Sequence, residues 1–418
     1  MHVVFFGDQH LESLGGAQVS MRLQRRFLER AGHTVTVVAP RMHKAHADDP
    51  GYLDLPAIPI TPDREYSLTW PGRRTDRRLD AAMAERPPVD LVHVQADFWG
   101  AFIGHRYAAR HGLPVVHTMH NRVDVGIAAV APFPRLVMRV LNAWQRRVLR
   151  GVEPRGNAST AQHAGAHLRG PADVPATGAD GWAYLGRFAE RSDAVTAPSG
   201  HFARRLEAHG AAPAGSGVDV IWNGIDDELL AAVPAGDRAA GRPRFVWVGR
   251  MSPEKRLLPF LEAVIAAGID ADVEIIGGGG QLRAARRLLA KGRPTASVVF
   301  AGRLPYAETL RRLAAADAVV QTSIGFETQG MTVFEAASLG TPAVVSDPDI
   351  AAELGAGVWA PADGSVAALA DTLRRAAADI TAGAAPRPDP TVAERFRQSS
   401  RTAAMVGVYE RVTGSRRS

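Results

Sequence analysis

The sequence predicts two α/β domains in tandem, each built on a parallel sheet. Three observations carry that expectation. The chain has 418 residues, more than one ordinary core accommodates. Short apolar runs alternate with amphipathic segments in both halves, the pattern of strands covered by helices. The alternation also restarts at Arg244, after an Ala-, Pro- and Gly-rich stretch, Asp226–Arg244, that reads as a linker.

The first strand, His2–Phe6, is an apolar run closed by Gly7 and Asp8. It reads as a buried strand and not as an export signal. Thr34–Ala39, Asp90–Val94, Pro114–Thr118, Asp193–Ala197 and Asp219–Trp222 are the strands that follow. In the first helix Val19, Leu23 and Phe27 recur every fourth position with Leu28 beside them, predicting the inner face. Arg22, Arg25, Arg26, Glu29 and Arg30 take the outer face, and Gly32 supplies the C-cap. Gly151–Gly181 lacks periodicity and reads as a long mobile insertion in the first domain. In the second half the strands are Phe245–Val248, Asp272–Ile276, Ser297–Ala301, Ala318–Gln321 and Pro342–Ser346. Helices fall between them at Leu257–Ala267, Gln281–Lys291, Ala307–Ala315 and Met331–Leu339, and Thr391–Val412 reads as one last helix.

Composition narrows the class. No apolar run is long enough to span a bilayer, and with no export signal a cytoplasmic protein is expected. The absence of cysteine excludes disulfides and thiolate chemistry. The net charge of +6 suits phosphates, anionic lipid or nucleic acid without choosing among them. The arginines are spread along an Ala-, Gly- and Pro-rich chain, so nucleic acid is not an expected partner. In Pro134–Arg150, five arginines accompany Leu136, Val137, Val140, Leu141, Trp144 and Val148 without one acid. Such a helix can lie on an anionic membrane, or it can pack inside the domain with a solvated Arg face.

Four groups of residues carry chemistry. Glu327 stands in a loop and Glu335 about one turn inside the helix that Gln329-Gly330-Met331 opens. A helix N-terminus suits a diphosphate, Gly330 permits close backbone approach, and a carboxylate one turn in can accept a vicinal diol. The plainer alternative is a solvated loop acid and a capping-box glutamate. Arg250 and Lys255, in Gly249-Arg-Met-Ser-Pro-Glu-Lys255, follow a strand at the edge where open α/β sheets bind ligands. An Arg fork with a Lys point charge neutralises a diphosphate, although a surface pair Glu254–Lys255 is the blander reading. Gly15 and Gly16 form a turn after the first strand that can approach a phosphate. His117 and His120 close the strand Pro114–Thr118, His117 reading as core and His120 as the functional candidate. Gly277–Gly280 invites a dinucleotide reading, but the third fingerprint glycine is replaced by Leu282, and Val298 and Val299 stand where the acid belongs. Nor is there a phosphate-loop signature or a set of side chains with metal-ligand spacing.

With these residues in place, the chain resembles the retaining glycosyltransferases of family 4. The likeness runs through Gly15-Gly16, Gly32-His33, His120, Val220-Ile-Trp-Asn-Gly-Ile-Asp226, Gly249–Lys255 and Glu327–Pro342. It implies the GT-B fold: two Rossmann-like domains facing a central cleft, with the C-terminal helix crossing back to the first. The domains would be 1–225 for the acceptor, 226–390 for the nucleotide sugar, and 391–418 returning, with Asn223–Asp226 as the hinge. It implies Arg250 and Lys255 on the diphosphate, Glu335 on the ribose, and Glu327 on the donor sugar. Gly16 would reach the phosphates and His120 would face the sugar. The candidate catalytic residues are thus His120, Arg250, Lys255 and Glu327. Gly15, Gly302, Arg303, Gly330, Met331 and Thr332 complete the donor-binding set. No metal and no cofactor beyond the co-substrate are expected. Glu327-Thr-Gln-Gly330 resembles the version common in UDP-sugar users, with GDP-mannose open. The acceptor would be a hydroxyl of a small molecule or of a lipid or cell-envelope carrier. A nucleotide-sugar epimerase on the same fold and a non-catalytic sugar-nucleotide-binding module are the alternatives. Trp222 in place of the commoner Pro, and the length of 151–181, depart from the pattern.

Overall fold

The protein is described by a computed structural model over residues 1–13, 16–44, 48–61, 64–155, 181–212, 217–234 and 241–414. Most of the expected insertion, 156–180, lies outside the described residues. The chain forms two compact units, Met1–Trp222 with Arg401–Ser418, and Asn223–Ser400.

In the first unit the main sheet contains β1 (His2–Gly7), β2 (Thr34–Pro40), β3 (Tyr52–Leu55), β6 (Leu91–Gln95), β7 (Val115–Thr118), β8 (Ala194–Ala197) and β9 (Val218–Val220). A short antiparallel ribbon, β4 (Ile58–Pro59) with β5 (Ser67–Leu68), lies outside it. The sheet order is β3-β2-β1-β6-β7-β8-β9, with every pair parallel. Side chains alternate across the pleat, so β1 feeds two cores. Val4 and Phe6 pack with Val92, Val94, Phe102 and Phe188, whereas Val3 and Phe5 pack with Val35, Val37 and the terminal helix. That helix, Gln398–Gly414, brings Met405, Val408, Tyr409 and Val412 into the second core. Its Tyr409 hydroxyl meets His93 Nδ1 at 2.6 Å, and His93 Nε2 meets Thr118 Oγ1 at 2.7 Å.

The second unit holds β10 (Arg244–Arg250), β11 (Asp272–Gly278), β12 (Ser297–Gly302), β13 (Ala318–Gln321), β14 (Ala343–Val345) and β15 (Val358–Trp359). Their order is β12-β11-β10-β13-β14-β15, again all parallel. From β10 the chain proceeds toward one edge and from β13 toward the other. The carboxyl ends of β10 and β13 therefore flank a topological switch point, where sheets of this kind take ligands. The first unit has the corresponding reversal between β1 and β6.

Several expectations are corrected. The helix Gly16–Arg30 buries Met21, Gln24, Phe27 and Leu28, while Val19 is exposed and Leu23 half-buried. Its inner face is turned from the apolar count because Gln24 is needed inside, bonded to Gln95 at 2.8 Å. Within the expected linker, Asp227–Ala232 is helical, capped by Asp226 accepting from the Glu228 and Leu229 N–H groups. The last helix is two: Thr391–Phe396 and Gln398–Gly414, broken at Arg397, whose ψ is 136°. Phe396 stacks on Phe334 with ring centroids 5.1 Å apart, which keeps the first piece in the second unit. Ile225 exchanges 2.8 Å backbone bonds with Phe396 and Gln398, so the unit boundaries fall at Trp222/Asn223 and Ser400/Arg401.

Candidate functional site

The exits of β10 and β13 hold most of the expected residues. After β10 the chain makes a tight path, with Met251 N–H bonded to Gly278 O and Gln281 N–H to Met251 O. This explains the glycine run Gly277–Gly280. A Cβ on Gly277 would lie 2.0 Å from Gly249 O, and one on Gly279 would lie 2.8 Å from Met251 O. The glycines let two strand exits touch; they do not form a dinucleotide fingerprint. Arg250 ends β10 with its side chain 72% exposed, 3.4 Å from Glu254. Arg303 lies beside the same strand ends, its Nε 3.5 Å from where a Cβ on Gly278 would stand. Gly302, at φ +73°, turns the chain out of β12 toward it.

Lys255 closes a single 3₁₀ turn, Pro253–Lys255, and does not pair with Glu254. Its Nζ bonds Glu327 Oε1, the oxygen that also accepts from Ser323 Oγ at 2.7 Å. The turn is held from below: Lys255 O accepts from Thr322 Oγ1 at 2.7 Å, and Thr322 accepts from Trp247 Nε1 at 3.0 Å. Glu327 is thus no freely solvated acid, with a side chain only 16% exposed. The ion pair of Lys255 is with Glu327 and not with Glu254, while Arg250 keeps its exposed contact to Glu254.

The Met331–Ser338 helix starts at Gly330, which has φ +81° and no side-chain cap. The positive φ is what calls for glycine here; a Cβ would also come within 2.9 Å of the terminal methyl of Ile350, which can shift. The N–H groups of this uncapped turn, at Met331 and Thr332, provide partial positive charge for an anion. Gln329 is buried and takes the Asn223 N–H at 3.0 Å and the Asn223 Nδ2–H at 2.7 Å, pinning the loop to the start of the second unit. Glu335 makes no capping box. It is buried, and its Oε1 accepts from Tyr306 Oη at 2.7 Å. Burial pushes the Glu335 carboxyl up to about 7, opposed by that hydrogen bond. Burial and the neighbouring carboxylate raise the Tyr306 hydroxyl.

The remaining candidates belong to the first unit. Gly16 opens its helix, while Gly15 lies outside the described residues. His120 is buried at the exit of β7, and burial holds its imidazole down to about 4. Its Nε2 lies 3.3 Å from Gln95 Oε1, and Gln95 in turn bonds Gln24. His117 is core, as expected, bonded to Ala96 O at 2.9 Å. Sequence reasoning did not single out the two carboxylates beside them. Asp8 accepts from the N–H groups of Asp97, Phe98 and Gly100 and so caps the Trp99–His111 helix from another strand. Asp97 bonds Asn121 Nδ2 at 2.7 Å; burial and the Asp8 charge raise its carboxyl to about 8. Tyr306 and Ser323 were missed as well. Their only signal was position, one directly after the Gly302–Arg303 loop and the other at the exit of β13.

Comparison with known proteins gives one picture. Residues 14–153 match the profile described as Glycosyltransferase Family 4, and residues 242–379 match Glycosyl transferases group 1. A GDP-mannose-dependent alpha-mannosyltransferase of Mycolicibacterium smegmatis is 28% identical over 88% of this chain and 87% of its own. A 2-deoxystreptamine N-acetyl-D-glucosaminyltransferase of Streptomyces fradiae is 25% identical over 79% and 74%. Among solved structures, Anabaena HepE in complex with UDP and glucose superposes with a TM-score of 0.63 at 15% identity, covering 98% of this chain and 100% of that one. A sucrose-phosphate synthase of Thermosynechococcus elongatus gives 0.66 at 17%, covering 99% of each. The two parallel α/β units are thus those of the GT-B fold.

Proposed function

The chain belongs to the family 4 glycosyltransferases and uses a nucleotide sugar, and from that premise we propose that it moves a hexose-type sugar, with retention, from a nucleoside diphosphate donor to a hydroxyl. One observation carries the reading. Lys255, Glu327, the uncapped helix start at Gly330-Met331 and Glu335 all converge on the switch point of one sheet. As the glycosidic bond breaks, charge grows on the departing diphosphate. Arg250, Lys255 and the helix N-terminus stabilise it without a metal, the largest catalytic contribution in this scheme. The departing phosphate oxygen takes the acceptor's proton on the face it leaves, so the new bond forms on that same face. Glu335 receives the ribose diol and Glu327 the sugar hydroxyls. In the first unit, Gly16 and His120 are the groups proposed to meet the phosphates and the sugar.

Two donors are carried forward. Glu327-Thr-Gln-Gly330 favours a UDP-sugar, while the 28% identical relative is named for GDP-mannose. Thermal unfolding with UDP, GDP, ADP, CMP and TDP and their sugars separates them, because a ligand that binds only the folded state raises its melting point. A chain that none of these stabilises would sink the proposal. Retention is read by NMR from the anomeric configuration of the product.

The acceptor side of the proposal includes contact with anionic lipid through the helix Pro134–Val148. Met138, Asn142 and Gln145 pack inward. Leu136 and Val140 nevertheless stay out, both 59% exposed, with Phe133 just before the helix. They form one stripe that runs into Trp144, whose ring lies 5.2 Å from that of exposed Trp70. Arg135, Arg139 and Arg146 line one side of the stripe and exposed Arg147 stands on it, and their long stems let apolar side chains enter a bilayer while the cations stay at the headgroups. Among the described residues no helix is long and apolar enough to cross a membrane. The protein is expected to float with phosphatidylglycerol/phosphatidylcholine vesicles and not with phosphatidylcholine alone. Leu136→Glu/Val140→Glu should remain at the bottom, and equal flotation of that variant refutes the contact.

A further inference from the structure

Glu335 is not a lone acid. It sits inside the unit, 6% exposed, with its Oε1 bonded to a tyrosine hydroxyl 29 positions earlier in the chain. That tyrosine is held in its turn. Gly302, in the left-handed region at φ +73°, swings the chain out of β12, and Pro305 sets the first turn of the Tyr306–Ala315 helix, where Thr309 N–H bonds Pro305 O at 2.9 Å. Tyr306 occupies the first helical position and faces the Met331–Ser338 helix, on which Glu335 stands one turn in. Two helix starts from different strands are therefore joined by one hydrogen bond at the edge where ligand is expected.

We infer that Tyr306 is a positioning residue for the nucleotide: it holds the Glu335 carboxylate in the orientation that receives a ribose diol. The inference rests on the donor site proposed above. With Oε1 held by the tyrosine, rotation of the carboxylate is restrained and Oε2 is the oxygen that the proposed diol would meet. A carboxylate already oriented loses less freedom when a diol binds, which is how preorganised partners gain affinity. The hydrogen bond from Tyr306 also assists the buried acid in carrying charge, since a donor to a carboxylate favours its ionised form. The phenol need not touch the nucleotide to act in this way.

The test is calorimetric titration of UDP and GDP, and of their 2′,3′-dideoxy counterparts, into the full chain and Tyr306→Phe. For whichever ribonucleotide binds, Tyr306→Phe is expected to weaken affinity about tenfold, the scale of one hydrogen bond to a charged group. For the dideoxy form it should change affinity less than about twofold, because no diol remains to be oriented. Tyr306→Phe placed in Glu335→Gln should add nothing to the loss from Glu335→Gln alone. Equal weakening of ribose and dideoxy ligands would mean that the tyrosine merely supports the fold, and it overturns the inference. So does unchanged ribonucleotide binding in Tyr306→Phe while the wild type binds well, an outcome that leaves the donor site standing. Binding of neither diphosphate by the wild type removes the donor reading itself, and this inference with it.

Discussion

Replacing Lys255 by Met separates two jobs of one ammonium, one seen in the structure and one proposed. The first is local. Lys255 Nζ and Glu327 Oε1 form an ion pair whose side chains are 21% and 16% exposed. Removal leaves the carboxylate with the Ser323 hydroxyl but without its cation. Exposed pairs contribute about 0–1 kcal/mol and breaking a buried one costs about 3–5 kcal/mol, so this partly wetted site should cost about 1–2 kcal/mol. The second job is on the leaving diphosphate, where losing one stabilising group should reduce turnover about 10²–10³-fold, or ~2.7–4 kcal/mol. Urea unfolding reads the first, and release of nucleoside diphosphate with water as acceptor reads the second. Pairing Lys255→Met with Glu327→Gln removes both charges together. Stability should then return to within ~0.5 kcal/mol of wild type, because no uncompensated charge remains. Turnover should not return. Because Glu327 is itself proposed to hold the sugar, turnover of the double variant is compared with Glu327→Gln alone: if Lys255→Met costs nothing further there, Lys255 acts only by holding Glu327, and its role on the diphosphate is wrong.

Arg250→Ala should also reduce turnover about 10²–10³-fold, while its 72% exposed side chain predicts a stability change within ~0.5 kcal/mol; near-wild-type turnover would remove it from the phosphate site. Tyr409→Phe strips the hydroxyl from buried His93 and should cost about 1–3 kcal/mol in urea unfolding for leaving a buried group unsatisfied. For pH, burial raises the carboxyls of Glu335 to about 7 and Asp97 to about 8. Both favour the folded state while protonated, a contribution complete below their ordinary values and lost as pH rises through 7 and 8. His117 and His120 are held down to about 3 and about 4, so their contribution is complete above 6.5 and lost as pH falls through those values. Burial also holds down His93 and His105 and raises Asp8 to about 6, so the lowered histidines outnumber the raised acids below 6.5 and the melting point of the ligand-free chain should peak near pH 6.5, falling on both sides. A melting point that climbs from pH 6.5 to 8 contradicts this, and Asp97→Asn should flatten the alkaline limb.

What the sequence determined by itself was whatever depends on neighbours along the chain. The apolar period set the helix Leu257–Ala267 and the strand Ala318–Gln321 at the bounds the structure has, because each is fixed by which of its own residues face inward. The candidate donor-site residues stood out for a similar reason: Arg250 with Lys255, and Glu327 with Glu335, stand on two short strand-to-helix exits. The weaker elements were not legible. The two-residue strands and the rotation of the first helix follow from contacts, the latter from a buried Gln24 that an apolar count sets aside. Only the tertiary structure decided the pairings. Lys255 meets Glu327 across 72 positions, Tyr306 meets Glu335 across 29, and His93 meets Tyr409 across 316. Such partners are chosen by strand order and by the desolvation that leaves a buried polar atom no other option. Strand order arises from packing the whole sheet, and no window of sequence contains it.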